Sequence, residues 1–304
     1  MKARLALQPT STPIQPSSLA VFVSDLVSLT KPRIIVLLLV TAVGAMFLAA
    51  QGPPSWSTAL LVIVGGSLGA GGANALNHYF DRDLDERMAR TRWRPVPSGR
   101  IDARTALGFG ILLNVVAFAV LATGVNLLSA VLTLGASAFY ILVYTQWLKR
   151  TTTQNIVIGG AAGAFPPLIG WAAVTGDLGL SALYLFAIVF FWTPPHFWAL
   201  ALMIREDYEE AGVPMLPVVE GVPATTRSIM LYSLLLVTLT ILFFSVDGLG
   251  WTYLAGALGL GSVFLYRAWR LLRSNALQDA RGLYLYSLLY LALLFLMIVI
   301  DSSI

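Results

Sequence analysis

Long apolar segments alternate with short polar ones along this chain, and the basic residues mark their boundaries. Lysine and arginine are absent from five stretches, namely residues 34–81, 105–148, 151–204, 228–266 and 282–304. A helix needs roughly 20 apolar residues to cross a bilayer. The first four stretches can each hold two such helices joined by a short turn, and the last can hold one. The pattern therefore predicts nine spans, near residues 33–51, 57–76, 105–124, 127–147, 155–175, 180–203, 228–246, 250–270 and 283–300.

The turns inside the paired stretches carry no basic residue, so all lysines and arginines fall on one side of the predicted bundle. These turns are residues 51–56, 124–126, 176–179 and 247–250. The positive-inside rule then places the N-terminus in the cytoplasm, together with the loops 77–104, 148–154, 204–227 and 271–281. We expect a multi-pass protein of the bacterial plasma (inner) membrane, with the C-terminus outside.

Composition supports a membrane protein. The chain is 58% hydrophobic and only 11% charged, with a mean hydropathy of +0.80. Soluble globular chains carry about 25% charged residues, and disordered chains combine low hydrophobicity with high charge. We therefore expect an all-α, polytopic transmembrane helical bundle. Cysteine is absent, which excludes disulfides, thiolate metal sites and a cysteine nucleophile.

The domain organisation is simple. The first 24 residues are polar and rich in Ser, Thr and Pro, and they lack the apolar core of a signal peptide. We expect residues 1–24 to be a flexible cytoplasmic tail. Residues 25–304 then form a single transmembrane domain, because no loop is long enough to hold a second one.

The densest polar segment follows the second predicted span. Asn77, Asp81 and Asp85 are four residues apart, so a helix places them on one stripe at intervals of about 6 Å, with Asn74 and His78 close to it. Two carboxylates one turn apart repel each other unless a cation lies between them. Mg²⁺ is typically held by one or two carboxylates together with substrate phosphate oxygens. The stripe favours such a site over a solvated helix face with salt bridges.

Five arginines follow this stripe closely: Arg87, Arg90, Arg92, Arg94 and Arg100. Anchoring to anionic lipid explains several of them. An acidic stripe beside guanidinium forks is also what a metal–diphosphate ligand requires. We expect Arg90 and Arg94 to bind the substrate.

The segment Asn77-His-Tyr-Phe-Asp81-Arg-Asp-Leu-Asp85 resembles the Asn-x-x-x-Asp-x-x-x-Asp motif of the UbiA superfamily of intramembrane prenyltransferases. Its continuation to Arg100 resembles the protohaem IX farnesyltransferase branch, and three later stretches match that branch in the expected order. They are residues 144–160, 194–202 and 207–217. The resemblance implies farnesyl diphosphate and haem b as substrates, Mg²⁺ as cofactor, and haem O for a terminal oxidase as product.

The resemblance also implies which residues hold the metal–diphosphate complex. Asn77, Asp81, Asp85 and Asp207 are the expected metal ligands. Asp207 lies in an acidic loop where superfamily members usually show Asp-x-x-x-Asp, whereas this chain has Ala211 at the second position.

Basic and polar residues near the next two spans complete the expected set. Lys149 and Arg150 are implied to bind the diphosphate and, with Asp81 and Asp85, to form the catalytic group. Asn74 and Asn155 are further candidates for substrate binding, although Asn155 could instead cap its helix.

One histidine lies deep in a predicted span. His196 follows Pro194-Pro195, and polar groups at that depth usually face a cavity. It could be a hydrogen-bonded structural residue. The resemblance implies that it contacts the porphyrin as an iron ligand, through a propionate, or as a proton carrier. Tyr144 belongs to an aromatic lining that could shield an allylic cation.

Two other functions remain open from the sequence. One is prenyl transfer to an aromatic quinone precursor. The other is transport, which predicts ionisable residues near span midplanes or inverted repeats, but the carboxylates fall at interfaces and no clear repeat is visible. The expected surroundings are the lipid bilayer and haem A synthase or oxidase assembly factors, with no role for nucleic acid.

Overall fold

The helical bundle that the apolar pattern predicts is present in the structure, a computed structural model that describes residues 18–246 and 249–304. These residues contain no β-strand, so the predicted all-α class is confirmed. The helices are α1 (Leu19–Leu29), α2 (Pro32–Ala50), α3 (Trp56–Phe80), α4 (Arg82–Arg87), α5 (Ala103–Gly124), α6 (Leu127–Ala138), a π-helical segment (Phe139–Leu148), α7 (Lys149–Thr151), α8 (Asn155–Gly159), α9 (Ala161–Thr175), α10 (Leu180–Met203), α11 (Arg205–Glu210), α12 (Leu216–Val219), α13 (Gly221–Phe243), α14 (Trp251–Ser274) and α15 (Leu277–Asp301).

Eight helical stretches among the described residues are long and apolar enough to cross a membrane, and each coincides with a predicted span. They are Pro32–Ala50, Trp56–Phe80, Ala103–Gly124, Leu127–Thr151, Asn155–Thr175, Leu180–Met203, Gly221–Phe243 and Leu277–Asp301. The ninth predicted span, residues 250–270, falls on α14. That helix has 24 residues and carries Arg267, Arg270 and Arg273, and it is not among these eight.

The predicted turns lie where the helices end. Asn126 caps α6, because its side chain accepts a hydrogen bond from Ser129 N. Ser55 caps α3 in the same way through Thr58 N. Helix α9 ends at Gly176, whose φ of 73° is the left-handed conformation that glycine adopts readily. The turn predicted at residues 247–250 includes Asp247 and Gly248, which lie outside the described residues.

Helix packing brings the site-bearing ends together. One run of neighbours is α3, α5, α6 and α9, another is α10, α13, α14 and α15, and α2 contacts both α9 and α15. The α3–α5 contact depends on small residues, since a Cβ atom on Gly72 would lie 2.8 Å from the Gly110 carbonyl oxygen. Close backbone approach of this kind is typical of membrane helices.

Helix α1 begins inside the segment that we expected to be a tail. Residues 19–24, expected to belong to the tail, form the first half of α1, which Ser18 caps through Val21 N. Buried Asp25 pairs with Arg100 Nε at 3.0 Å, so α1 is fastened to the bundle. Residues 1–17, the rest of the predicted tail, lie outside the described residues.

The segment predicted as the loop 204–227 is mostly helical. It contains α11, α12 and the start of α13 at Gly221. Acidic residues Glu206 and Asp207 occupy the first turn of α11, where they favour helix formation by interacting with the helix dipole.

Candidate active site

The acidic stripe lies where α3 passes into α4. Helix α3 ends at Phe80, and Asp81 at the junction has φ −93° and ψ 4°. The helical hydrogen-bond pattern nevertheless continues, because Asp81 N donates to Asn77 O and Asp85 N to Asp81 O, both at 2.8 Å. Asn77, Asp81 and Asp85 are 4%, 1% and 2% exposed. The structure thus keeps the three predicted residues in one helical register and buries all of them.

Asp81 is held by a cation from another span. Lys149 Nζ lies 2.6 Å from Asp81 Oδ2, and Asn77 Nδ2 donates to the same oxygen at 2.7 Å. Arg150 Nη2 lies 3.7 Å from Asp81 Oδ1, which has no hydrogen-bond partner among the described residues. Lys149 and Arg150, which we expected to bind the diphosphate, are thus both within 4 Å of this carboxylate.

Asp85 is compensated by the arginine-rich loop. Arg94 Nη1 lies 2.9 Å from both carboxylate oxygens of Asp85. Thr91 Oγ1 donates to the backbone oxygen of Asp85 at 2.9 Å, which fixes the loop against α4. His78 Nδ1 lies 3.8 Å from Asp85 Oδ2. Two neighbouring carboxylates therefore each have their own positive partner.

Lys31 joins this cluster, although sequence reasoning did not select it. Its Nζ donates to Asn77 Oδ1 at 2.9 Å, and its backbone is left-handed with φ 53°, which is uncommon for a residue with a side chain. Burial lowers the pKa of Lys31 to about 7, so its charged form is costly unless an anion is near. Thr30 is the residue before Lys31, and its carbonyl accepts a hydrogen bond from Asn74 at 2.9 Å. This bond holds the link between α1 and α2 against α3.

In the fourth span, the residues of the site lie in a π-helical segment or directly after it. Thr145 in this segment accepts a hydrogen bond from Asn77 Nδ2 at 3.2 Å. Tyr144 stacks on Tyr140 with ring centroids 5.6 Å apart and lies against Gly159 of α8. Local π-helix is frequent at functional sites. Here it directly precedes Lys149 and Arg150.

Asp83 has a partner that sequence reasoning did not identify. Arg150 from the fourth span donates to both of its carboxylate oxygens at 2.7 Å. That pairing lowers the pKa of Asp83. Arg150 also donates to Phe80 O at 2.9 Å, so it joins the ends of two spans.

Asp207, also predicted to bind metal, does not touch the acidic stripe. Its Oδ2 lies 4.0 Å from Arg90 Nε. Within residues 18–246 and 249–304, no group of three or more acidic or histidine side chains is placed to hold a metal ion. Asn155 is fully buried and donates to Pro214 O at 3.4 Å. It is the first residue of α8 and not its cap, which is Gln154.

His196 lies apart from these charges, on α10. The helix is continuous through Pro194 and Pro195. The His196 ring stacks on Trp192 at 4.3 Å and on Tyr284 at 4.8 Å. Its Nδ1 lies 2.7 Å from Ser287 Oγ. The arrangement fits either interpretation of this residue, as packing or as a ligand.

Solved structures share this fold. A UbiA homolog from Aeropyrum pernix is 20% identical with a TM-score of 0.72, covering 89% of this chain and 98% of its own. A UbiA homolog from Archaeoglobus fulgidus, bound to DMAPP and Mg²⁺, is 18% identical with a TM-score of 0.64, covering 90% and 99%. At such identities the likeness concerns the fold.

Relatives of known name are much closer in sequence. The protoheme IX farnesyltransferase of Gloeobacter violaceus is 53% identical over 93% of both chains, and that of Synechocystis is 51% identical over 96% of this chain and 94% of its own. That of Roseiflexus castenholzii is 53% identical over 92% of this chain, which spans about half (52%) of that relative's length. Residues 37–298 match the UbiA prenyltransferase family. The resemblance seen in the four sequence blocks is confirmed, and the chain belongs to the UbiA prenyltransferase family.

Proposed function

We propose that the protein transfers a farnesyl group from farnesyl diphosphate to a vinyl group of haem b, giving haem O. The observation that carries the diphosphate part is the pair of buried carboxylates, Asp81 and Asp85, each bound to a cation from another segment. The relatives named protoheme IX farnesyltransferase, 51% to 53% identical, support haem as acceptor.

The acidic stripe suits Mg²⁺ chemically. Asp81 Oδ1 has no hydrogen-bond partner among the described residues, and Asp85 is buried beside it along the helix. One or two carboxylates plus phosphate oxygens are the usual protein ligands of this ion. We propose that Asp81 and Asp85 hold it, with Asn77 and Asp207 as further ligands. When bound, the ion neutralises negative charge on the diphosphate.

The basic residues act on the leaving group. Lys149 and Arg150 lie at the end of the fourth span and contact Asp81. We assign them to stabilise the charge that develops on the diphosphate as its bond to the farnesyl carbon breaks. Arg94 and Arg90 add positive charge from the loop, and Lys31 adds it from the start of α2.

The step that joins the farnesyl and vinyl carbons takes place among the apolar side chains of the bundle. The C–O bond ionises, diphosphate departs, and the haem vinyl group then attacks the farnesyl cation, so that a carbon–carbon bond forms. Water then adds to the new cation next to the porphyrin and releases a proton, which leaves a hydroxyethylfarnesyl group. The stacked rings of Tyr140 and Tyr144 are suited to shield the allylic cation, since cation–π attraction strengthens in a dry site.

The direct test is turnover by the purified full-length protein in nanodiscs. With farnesyl diphosphate, Mg²⁺ and haem b, mass spectrometry should detect haem O, and EDTA should stop its formation. Prenylation of a hydroxybenzoate ring without any haem O would contradict the proposal and support the quinone-precursor alternative.

We also propose a location for the reaction. The basic ends of the spans, with the acidic stripe, would face the cytoplasm of a bacterial plasma membrane, as expected from the positive-inside rule. Haem A synthase or an oxidase assembly factor would then take the product.

A further inference from the structure

The protonation of His196 follows from one hydroxyl group. Ser287 Oγ carries a single proton and donates it to the Tyr284 carbonyl oxygen at 2.6 Å. When the hydroxyl proton points to that carbonyl, the hydroxyl accepts a hydrogen bond at its 2.7 Å contact with His196 Nδ1. Nδ1 of a neutral His196 then carries the proton, and Nε2 carries the lone pair.

The same serine fixes the surroundings of the ring. Trp192 and Tyr284 stack on His196 at 4.3 and 4.8 Å with interplanar angles of 16° and 23°, so the two rings cover opposite faces. Trp192 Nε1 donates to the backbone oxygen of Ser287 at 2.8 Å. The surroundings of the imidazole thus depend on two residues of α15, Tyr284 through its ring and Ser287 through its hydroxyl and backbone oxygen.

The other ring nitrogen of His196, Nε2, is the one left to bind a metal. Within residues 18–246 and 249–304, no hydrogen bond reaches His196 Nε2. Histidines that ligate a metal almost always donate their other ring N–H to an oxygen, which sets the ring orientation and strengthens the ligand. Haem iron is commonly held by such a neutral imidazole.

We propose that Ser287 is a positioning residue that holds His196 in the Nδ1-protonated form, so that Nε2 ligates the iron of the haem substrate. This proposal rests on the proposed function, because it requires haem to be the acceptor. It assigns to α15, which contributes nothing to the acidic stripe, a part in fixing the porphyrin.

The test is a haem titration of the full-length protein in nanodiscs without farnesyl diphosphate, followed through the Soret band. Ser287→Ala should weaken haem binding about tenfold or more, the range typical of lost partners of metal-ligating histidines, and should shift the band. Ser287→Thr, which keeps the hydroxyl, should restore both. Ser233→Ala is the matched control, since Ser233 is also fully buried but donates only to Ile229 O in its own helix.

A second experiment removes the ligand itself. His196→Gly should lose the Soret signature of histidine ligation, and added imidazole should restore it. Restoration of the Soret signature by imidazole supports a bond between His196 and the iron, even if Ser287→Ala fails to fold. In that case the role of Ser287 is tested by Ser287→Thr.

Two results would overturn the proposal. One is an unchanged Soret band and haem affinity in His196→Gly. The other is a wild-type titration for Ser287→Ala when His196→Gly has lost the band. Failure of the proposed function would look different, as haem bound normally but never prenylated in the turnover assay.

Discussion

Each buried carboxylate of the acidic stripe has a positive partner. Asp81 pairs with Lys149, and Asp85 with Arg94. Removing one member of a buried pair costs roughly 3–5 kcal/mol, because the other charge stays desolvated. These ion pairs are therefore part of the folded structure, so each functional test of the stripe also needs a measurement of folding.

Asp81→Asn keeps the shape of the side chain and removes its charge. We expect turnover to fall by about 100- to 1,000-fold, comparable to the loss of one group that stabilises transition-state charge, while the helical circular dichroism spectrum is retained. Asp83→Asn is the control, since Asp83 is half exposed and such pairs contribute about 0–1 kcal/mol. Near-normal turnover in both Asp81→Asn and Asp85→Asn would contradict the metal assignment.

Lys31→Met tests the cation that the sequence did not reveal. Hydrogen bonds to charged groups contribute about 1.5–3 kcal/mol, so the KM for farnesyl diphosphate should rise by about tenfold or more. Arg33→Met is the comparison, because Arg33 is an exposed neighbour in the same helix. Equal KM values for the two variants would remove Lys31 from the substrate site.

Regular spacing made the acidic stripe predictable from the sequence. Its partners that lie far away in the sequence could not be predicted. Asn77, Asp81 and Asp85 are four residues apart, so one helix relates them. Lys31 meets Asn77 across 46 residues, and Ser287 meets His196 across 91. Such contacts depend on which helices pack together, and no local pattern encodes that. For the same reason Asp83 pairs with Arg150 and not with the arginines that follow it.

Among the elements, the apolar gaps between basic residues located the spans, because burial in lipid demands continuous apolar helices. Details set by packing differ from the prediction. The π-helical segment before Lys149 follows no recognised pattern, and α1 extends into the predicted tail. Helix α14 has the length of a span but carries three arginines near its end.

The contact between α8 and the π-helical segment is tight enough to test. A Cβ atom on Gly159 would run into the ring of Tyr144. We expect Gly159→Ala to destabilise the protein by about 1–3 kcal/mol, the usual cost of overpacking, and to reduce turnover through displacement of Tyr144.

Gly163→Ala is the matched control for that substitution, because nothing lies within 4 Å of the added atom and alanine favours helix. Thermal unfolding in detergent should show a lower Tm for Gly159→Ala alone. Equal Tm values would mean that the Tyr144 ring moves aside without cost.

For the whole molecule, the absence of cysteine offers a clean test of orientation. Ser57→Cys and Ala276→Cys each introduce a single thiol, at exposed positions near opposite ends of the bundle. We expect an impermeant maleimide to label Ser57→Cys in spheroplasts and Ala276→Cys only in inverted vesicles. The reverse pattern would contradict the cytoplasmic placement, and labelling after denaturation gives the total thiol in each sample.

The ion pairs of the acidic stripe also bear on how a reaction cycle ends. In the proposed reaction the by-product is inorganic diphosphate, which lacks the apolar chain of its farnesyl ester, so charge alone would retain it. Asp81 and Asp85 would compete with it for Lys149 and Arg94, with which they form ion pairs. As each carboxylate recovers its cation, the diphosphate loses one attachment. On the proposed function, the carboxylates of the stripe would thus help to release the by-product as well as to hold the substrate.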